Sequence, residues 1–221
     1  MNTILNKILD KKIIAIVRGI DSKDILKTAE ALYDGGVRCI EVTFKPYDKD
    51  GSENTINSIN TLREYFKKDL YIGAGTVLSK NDVKRAFEAG AEFIISPNVD
   101  VDVIKCTKTL GMISLPGAYT PTEAQIAFVA GADIIKIFPA GQLTPKYFKA
   151  VKDPMCYLKL AAVGGISVDN IEKFLIAGAD AFGIGSNLVN RKRVENKEWN
   201  TITSLAKQYE RIIKKYKSEP N

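Results

Sequence analysis

Lys136 stands in the run DIIKIFPAG, where its neighbours Ile134, Ile135, Ile137 and Phe138 are all apolar. A lysine in such surroundings loses solvation of its ammonium form, so its pKa falls and the free amine becomes available to attack a carbonyl carbon. The chemistry on offer is a Schiff base. Glu41, in CIEVTF, is the second unusual residue, a carboxylate inside a segment that otherwise reads as buried. Burying an unpaired carboxylate is costly, so either a cation partners it or its pKa rises to where it can pass protons near neutrality. The chain has no histidine. That removes Ser-His-Asp and Cys-His chemistry, histidine bases and most transition-metal sites, leaving carboxylates, lysine, tyrosine and water to move protons. Each residue also has a plainer reading: a lysine stem that snorkels to water, and a structural ion pair for the glutamate.

Two glycine-rich segments offer backbone N–H groups to an anion. Gly164-Gly165-Ile166-Ser167 precedes an expected helix, and Gly183-Ile184-Gly185-Ser186 lies further on; together they read as a phosphate cradle. Arg18, in AIVRG, and Lys45, in EVTFK, are candidate anion-binding cations. Arg18 is the choice for a keto-acid carboxylate, because a guanidinium gives a carboxylate two parallel hydrogen bonds. Lys159, in LKLAAV, is a warning that a strand lysine alone means little, since it falls at the start of its segment.

These residues need elements to bring them together. Apolar, β-branched runs at 13–17, 38–44, 70–74, 92–96, 112–116, 133–138, 158–163 and 181–185 alternate with amphipathic stretches, the pattern of repeated βα units. The intervening helices are expected to open near Ser22, Ser52, Ser79, Asp100, Thr120, Thr144 and Ser167, with a last one over about 196–216. A glycine turn recurs before strands, at Gly35, Gly90, Gly131 and Gly178, each expected to end a helix in the left-handed conformation. The expected fold is α/β, a (β/α)8 TIM barrel in one domain over 1–221, with a short helix from Met1 to about Asp10 closing the bottom. An open doubly wound sheet is the alternative, but neither GxGxxG after the first strand nor GxxxxGK[ST] is present. In a barrel the site lies where strands end: Arg18 after the first, Glu41 on the second, Lys136 near the end of the sixth, and the glycine segments after the seventh and eighth.

At 221 residues, 45% hydrophobic and 26% charged, the composition is that of an ordinary globular protein, and no apolar run approaches a membrane span. The N-terminus lacks a continuous apolar stretch and a cleavage site, so a cytoplasmic location is expected. Cys39, Cys106 and Cys156 are odd in number and never spaced as CxxC, which favours reduced thiols over disulfides or zinc. The net charge of +6 is spread along the chain with no basic block, which suits attraction of phosphorylated, carboxylated metabolites better than nucleic acid. No metal and no cofactor is expected.

In order and spacing, IVRG (16–19), EVTF (41–44), GAGTV (73–77), ISPN (95–98), PGAYTPTEA (116–124), KIFPA (136–140), VGGI (163–166) and GIGSNLV (183–189) resemble the 2-keto-3-deoxy-6-phosphogluconate (KDPG) aldolase / 4-hydroxy-2-oxoglutarate (KHG) aldolase family. The resemblance implies a class I lyase cleaving a phosphorylated keto acid to pyruvate and D-glyceraldehyde 3-phosphate, or 4-hydroxy-2-oxoglutarate to pyruvate and glyoxylate. It implies that Lys136 forms the imine, Glu41 shuttles protons, Thr76 and Pro97 shape the pyruvate pocket with Phe138 packed on it, and Gly164, Gly165 and Ser186, beside Gly185, bind phosphate. It also implies a cytoplasmic homotrimer. Two positions depart from the family pattern. Lys45 stands where many members carry a substrate-binding arginine, and Val163 where gluconate-type members often have threonine, as in the 6-phosphogalactonate branch. The competing expectations are a metal-dependent aldolase or isomerase on a similar barrel, and a non-catalytic sugar-phosphate-binding or nucleic-acid-binding barrel.

Overall fold

The structure, a computed structural model, describes residues 3–218; Met1, Asn2 and residues 219–221 lie outside the described residues, and with them the expected start of the first helix and both ends of the expected 1–221 domain. Each expected strand forms: β1 Ile13–Val17, β2 Cys39–Thr43, β3 Tyr71–Gly75, β4 Phe93–Ile95, β5 Ile113–Leu115, β6 Gly117–Ala118, β7 Ile135–Ile137, β8 Leu160–Val163 and β9 Ala181–Ile184. All pair in parallel, in the order β5-β4-β3-β2-β1-β9-β8-β7-β6. The two ends of that ladder are one barrel strand. Pro116 has no N–H to give a sheet, so it splits the fifth strand into β5 and β6 while its carbonyl still accepts from Lys136 N at 2.9 Å. Eight barrel strands therefore appear as nine segments, and the sheet closes nearly completely.

Alternation along each strand sorts side chains between two layers. Ile14, Ile16, Cys39, Phe93, Ile95, Ile113, Leu115, Ala161, Val163 and Ala181 form one cluster, and Ile13, Ala15, Val17, Ile40, Val42, Ile135 and Ile137 belong to another with the helices. The first cluster fills the barrel. Helix α1 (Thr3–Lys11) sets Ile8, fully buried, against it from below, as the short N-terminal helix was expected to do. Glu41 alternates with Ile40 and Val42, and Lys136 with Ile135 and Ile137. Both therefore turn inward, the only place for them once their neighbours face the helices.

The helices are α2 Ser22–Asp34, α3 Lys49–Phe66, α4 Lys80–Glu88, α5 Val101–Thr109, α6 Pro121–Val129, α7 Ala140–Lys152, α8 Ile171–Ile176, α9 Arg191–Glu195 and α10 Trp199–Ser218. Ser79, Asp100 and Thr120 cap as expected, Thr120 in a capping box with Glu123. Four caps differ. Asp21, not Ser22, caps α2, and Asp48, not Ser52, caps α3, because a preceding aspartate reaches the free amides of the first turn sooner. Asn170 rather than Ser167 precedes α8. Thr144 (φ 67°) lies inside α7 as a break, its hydroxyl accepting from Tyr147 N at 3.4 Å to start the second half behind Pro145. The last expected helix, over about 196–216, forms as α10, and the short α9 before it falls outside the expected segments.

Three of the glycine turns behave as expected, with Gly90, Gly131 and Gly178 at φ 90°, 103° and 90°. Gly35 does not. It is right-handed, and Gly36 takes the positive φ instead; a Cβ on Gly35 would stand 2.2 Å from the Ala206 methyl, so that glycine serves close packing of α2 against α10. The acid after each of the other three turns has a shared role. Glu92, Asp133 and Asp180 accept from Ile72 N, Ser114 N and Leu160 N and pair with Arg63, Lys108 and Lys152, stitching neighbouring strands at the base.

Candidate active site

Lys136 is 5% exposed and Glu41 1% exposed, in the barrel interior near the C-terminal ends of β7 and β2. Burial lowers the Lys136 pKa, with Glu41 opposing and Arg18 reinforcing that shift. It raises that of Glu41, which the positive charges of Lys136 and Arg18 oppose. Desolvation outweighs the opposing charges for both, so the amine gives up its proton more readily, and the acid holds its proton more firmly, than an exposed lysine or glutamate would. Glu41 Oε2 has no hydrogen-bond partner among the described residues. An orphaned, fully buried carboxyl oxygen is expensive to keep, and it leaves one oxygen free for an incoming group.

The space for that carboxyl comes from glycine. A Cβ on Gly75 would fall 1.6 Å from Glu41 Oε1, and one on Gly73 would fall 2.1 Å from the Phe93 ring. Both lie in the GAGTV run, whose repeated glycine therefore has a steric cause that sequence reasoning missed. Thr76 follows at φ 57°, half-buried at the mouth. Pro97, half-buried past β4, presents its carbonyl where a Gly117 Cβ would be 2.4 Å away, so Gly117 lets β4 and β6 close against each other. Phe138 lies just past β7, 37% exposed, with Lys136 Nζ 4.7 Å from its ring centroid; a ring face there accepts either an ammonium or the apolar end of a bound keto acid.

On the opposite flank, Val163 ends β8, with both its methyls 2.9 Å from where a Gly183 Cβ would be. Gly164 and Gly165 follow at φ 88° and 76°. Gly141 N donates to Gly164 O at 2.8 Å, Asn170 Nδ2 to Gly165 O at 2.9 Å and Asn187 Nδ2 to Ile166 O at 2.7 Å. Asn190 and Arg193 hold the Ser186 carbonyl. The carbonyls of both loops are thus occupied, while the amides of Gly165 and Ser186 meet no protein acceptor among the described residues. Gly183 and Ile184 belong to β9 itself, so the second loop begins at Gly185. The helix expected to open near Ser167 starts only at Ile171 and has six residues, so what this loop offers an anion is free amides rather than a helix end.

Arg18 and Lys45 are both exposed at the rim, but their states differ. Lys45 is ion-paired with Asp48 at 2.5 Å, a partner three residues on that sequence reasoning overlooked. A cavity near the rim, about 630 Å³, lies between the loops after β1 and β2 and helix α9, with Arg18, Lys45 and Thr76 on its wall. Lys136 and Glu41 do not line it; it flanks the barrel axis, where those two side chains lie. Among the described residues no three histidine, cysteine, aspartate or glutamate side chains gather as a metal site, and no helix is long and apolar enough to cross a membrane.

The family described as KDPG and KHG aldolase matches residues 4–205. The chain belongs to that family. It is 36% identical over 181 residues to a Rhizobium meliloti (strain 1021) protein named "Probable 2-dehydro-3-deoxy-6-phosphogalactonate aldolase", covering 81% of this chain and 82% of the relative. It is 33% identical over 202 residues to the Escherichia coli (strain K12) 2-dehydro-3-deoxy-6-phosphogalactonate aldolase, covering 91% and 96%. Among solved structures it superposes on the KDPG aldolase of Legionella pneumophila with a TM-score of 0.82, at 27% identity and covering 92% of this chain and 96% of that one. That structure holds pyruvate captured at low pH as a covalent carbinolamine intermediate. The protein is thus a lyase of the KDPG/KHG aldolase family on the barrel that such enzymes share, as the motifs led one to expect.

Proposed function

We propose that the chain is a class I aldolase that cleaves a 2-keto-3-deoxy-6-phosphohexonate to pyruvate and D-glyceraldehyde 3-phosphate through an imine on Lys136. The observation that carries this reading is the pair of buried groups with opposed shifts, a lysine lowered and a glutamate raised. The neutral Lys136 amine attacks the C2 ketone to give a carbinolamine, and Glu41 supplies the proton with which hydroxide leaves as water. The iminium then draws in the C3–C4 bonding electrons. Glu41, now a carboxylate, takes the C4 hydroxyl proton as that bond breaks, releasing the aldehyde and leaving an enamine. Protonation of the enamine at C3 and hydrolysis of the imine return pyruvate, the amine and the acid.

Arg18 holds the keto-acid carboxylate, and the free amides of Gly165 and Ser186, with Gly164 and Gly185 shaping the loops, hold the phosphate. Thr76, Pro97 and Phe138 wall the pyruvate end. The same Lys136 and Glu41 steps apply to unphosphorylated 4-hydroxy-2-oxoglutarate, which yields pyruvate and glyoxylate. The galactonate epimer is a second reading, favoured by Val163: a buried valine gives no hydroxyl to a substrate hydroxyl at that point. Both epimers give identical products, because cleavage turns C4 into the aldehyde carbon.

The assembly would be a cytoplasmic homotrimer, as in the family resemblance. Ile126, Phe128 and Val129 of α6 are exposed together, a surface that subunit contact would cover. Light scattering in solution gives the subunit count.

Borohydride trapping with pyruvate tests the central step. The expected result is an irreversible adduct on Lys136, absent in Lys136→Ala; cleavage activity that survives Lys136→Ala, or that a chelator abolishes, overturns the mechanism. Relative kcat/KM for the gluconate, galactonate and unphosphorylated substrates then fixes the preferred one.

A further inference from the structure

Four cations line the cavity of about 630 Å³ beside the active-site mouth, namely Arg18, Lys23, Lys45 and Arg191. Three of them are committed: Lys23 to Asp21 at 3.7 Å, Lys45 to Asp48 at 2.5 Å and Arg191 to Glu195 at 2.7 Å. Arg18 has no ion pair or side-chain hydrogen bond among the described residues, and it is the one whose charge is felt by both Glu41 and Lys136. With no partner to hold its guanidinium, the placement of Arg18 depends on its backbone. That backbone is a tight turn, with Gly19 at φ 65° and no heavy atom within 4 Å of where its Cβ would be, so packing against residue 19 does not fix the turn.

What does fix it comes from another element. Asn54, on α3, donates from Nδ2 to Ile20 O at 2.9 Å and accepts at Oδ1 from Ser22 N at 2.8 Å. One side-chain amide thereby spans the turn between Arg18 and the first residue of α2, and both hydrogen bonds are partly buried, where geometry is held more firmly than in open water. Ile20, 5% exposed, anchors the same point from below. Asparagine suits this task because it offers one donor and one acceptor in a fixed plane; aspartate has no donor and alanine has neither group.

We infer that Asn54 is a positioning residue for Arg18: its amide clamps the turn after β1 and so sets where the one uncommitted guanidinium of the mouth meets the carboxylate of the substrate. The inference rests on the reading that Arg18 binds that carboxylate. Asn54 touches no reacting atom. Its loss would let the turn move and would spread Arg18 over more orientations, which weakens binding more than it slows chemistry.

The test is a double-mutant cycle of Asn54→Ala and Arg18→Ala, read as KM and kcat for the phosphorylated keto acid with thermal melting alongside. The expected result is a KM raised by about tenfold in Asn54→Ala, a smaller change in kcat, and no further rise when Asn54→Ala is added to Arg18→Ala. Asn54→Asp, which keeps the acceptor for Ser22 N and loses only the donor to Ile20 O, is expected to retain the fold and to show part of the KM effect. An Asn54 effect that adds in full on the Arg18→Ala background, or an unchanged KM in either single variant, overturns the inference. The Arg18→Ala arm separates the two claims. An unchanged KM in Arg18→Ala removes the reading that Arg18 binds the carboxylate; a raised KM there with an additive cycle removes Asn54 alone.

Discussion

Glu41 occupies the volume that any side chain on Gly75 would need: the carboxyl oxygen Oε1 lies 1.6 Å from where the Cβ would be. The two residues sit on adjacent strands, paired in a register that sets Glu41 opposite Gly73 and Thr43 opposite Gly75, so neither backbone can yield without disturbing the sheet. Gly75→Ala is therefore expected to push the carboxyl from its place and lower kcat by about 10²-fold, in line with the cost of small misplacements of reacting groups. Steady-state kinetics with a melting curve checks it, and an alanine variant with full turnover would show that Glu41 needs no such room.

The raised pKa of Glu41 has a stability consequence with a definite sign. Above its ordinary value of 4.5, the unfolded chain gives up this proton while the folded chain, whose buried carboxyl is raised, still holds it. The folded state then binds more protons, and stability falls as pH rises through that window up to the folded-state pKa. Glu41→Gln removes the effect. Its melting temperature is expected to match the parent near about pH 4 and to exceed it increasingly as pH rises above the ordinary carboxyl value, while turnover drops by about 10². Melting curves across pH decide this, and a variant less stable than the parent at the higher pH would mean that ion pairing, not desolvation, governs the carboxyl.

Lys136 predicts a kinetic pH profile. Burial lowers its pKa from the ordinary 10.5, so the free amine is populated at lower pH than in a surface lysine. The rate of adduct formation with pyruvate should rise with pH through an ionisation below that ordinary value and then level off. Stopped-flow or quenched trapping measures the inflection; one at the ordinary lysine value or above would sink the idea that the barrel interior activates this amine.

The Lys45–Asp48 pair sets up a test of the rim. Asp48 also caps α3 by accepting from Gly51 N at 2.8 Å, and asparagine caps as well as aspartate. Asp48→Asn should leave melting nearly unchanged, since an exposed pair contributes little to stability. It frees the Lys45 ammonium, so KM for the phosphorylated substrate is expected to fall by up to about fivefold. A KM that stays level or rises would place Lys45 outside the substrate's reach.

Much of the barrel was legible from the chain because its signals are local and periodic. The eight apolar runs stand at the expected places, and the caps at Ser79, Asp100 and Thr120 depend on residues within one turn. The misread caps share one cause. Ser22 and Ser52 compete with Asp21 and Asp48, which lie closer to the free amides, and a pattern of residue types does not rank two such neighbours. Gly35 was misread for a different reason, since its partner Ala206 lies far along the chain.

By itself the sequence determined which residues could react. The absence of histidine, an amine in an aliphatic strand, a carboxylate in another and two glycine loops are properties of residue types and short spacings, and they name the chemistry. Only the tertiary structure decided which groups are free to perform it. Whether Lys45 or Arg18 is already neutralised, whether Gly75 leaves room for Glu41, and whether Asn54 reaches the turn after β1 all depend on atoms brought within a few ångströms from distant parts of the chain, because steric exclusion and charge pairing act through space rather than along the backbone.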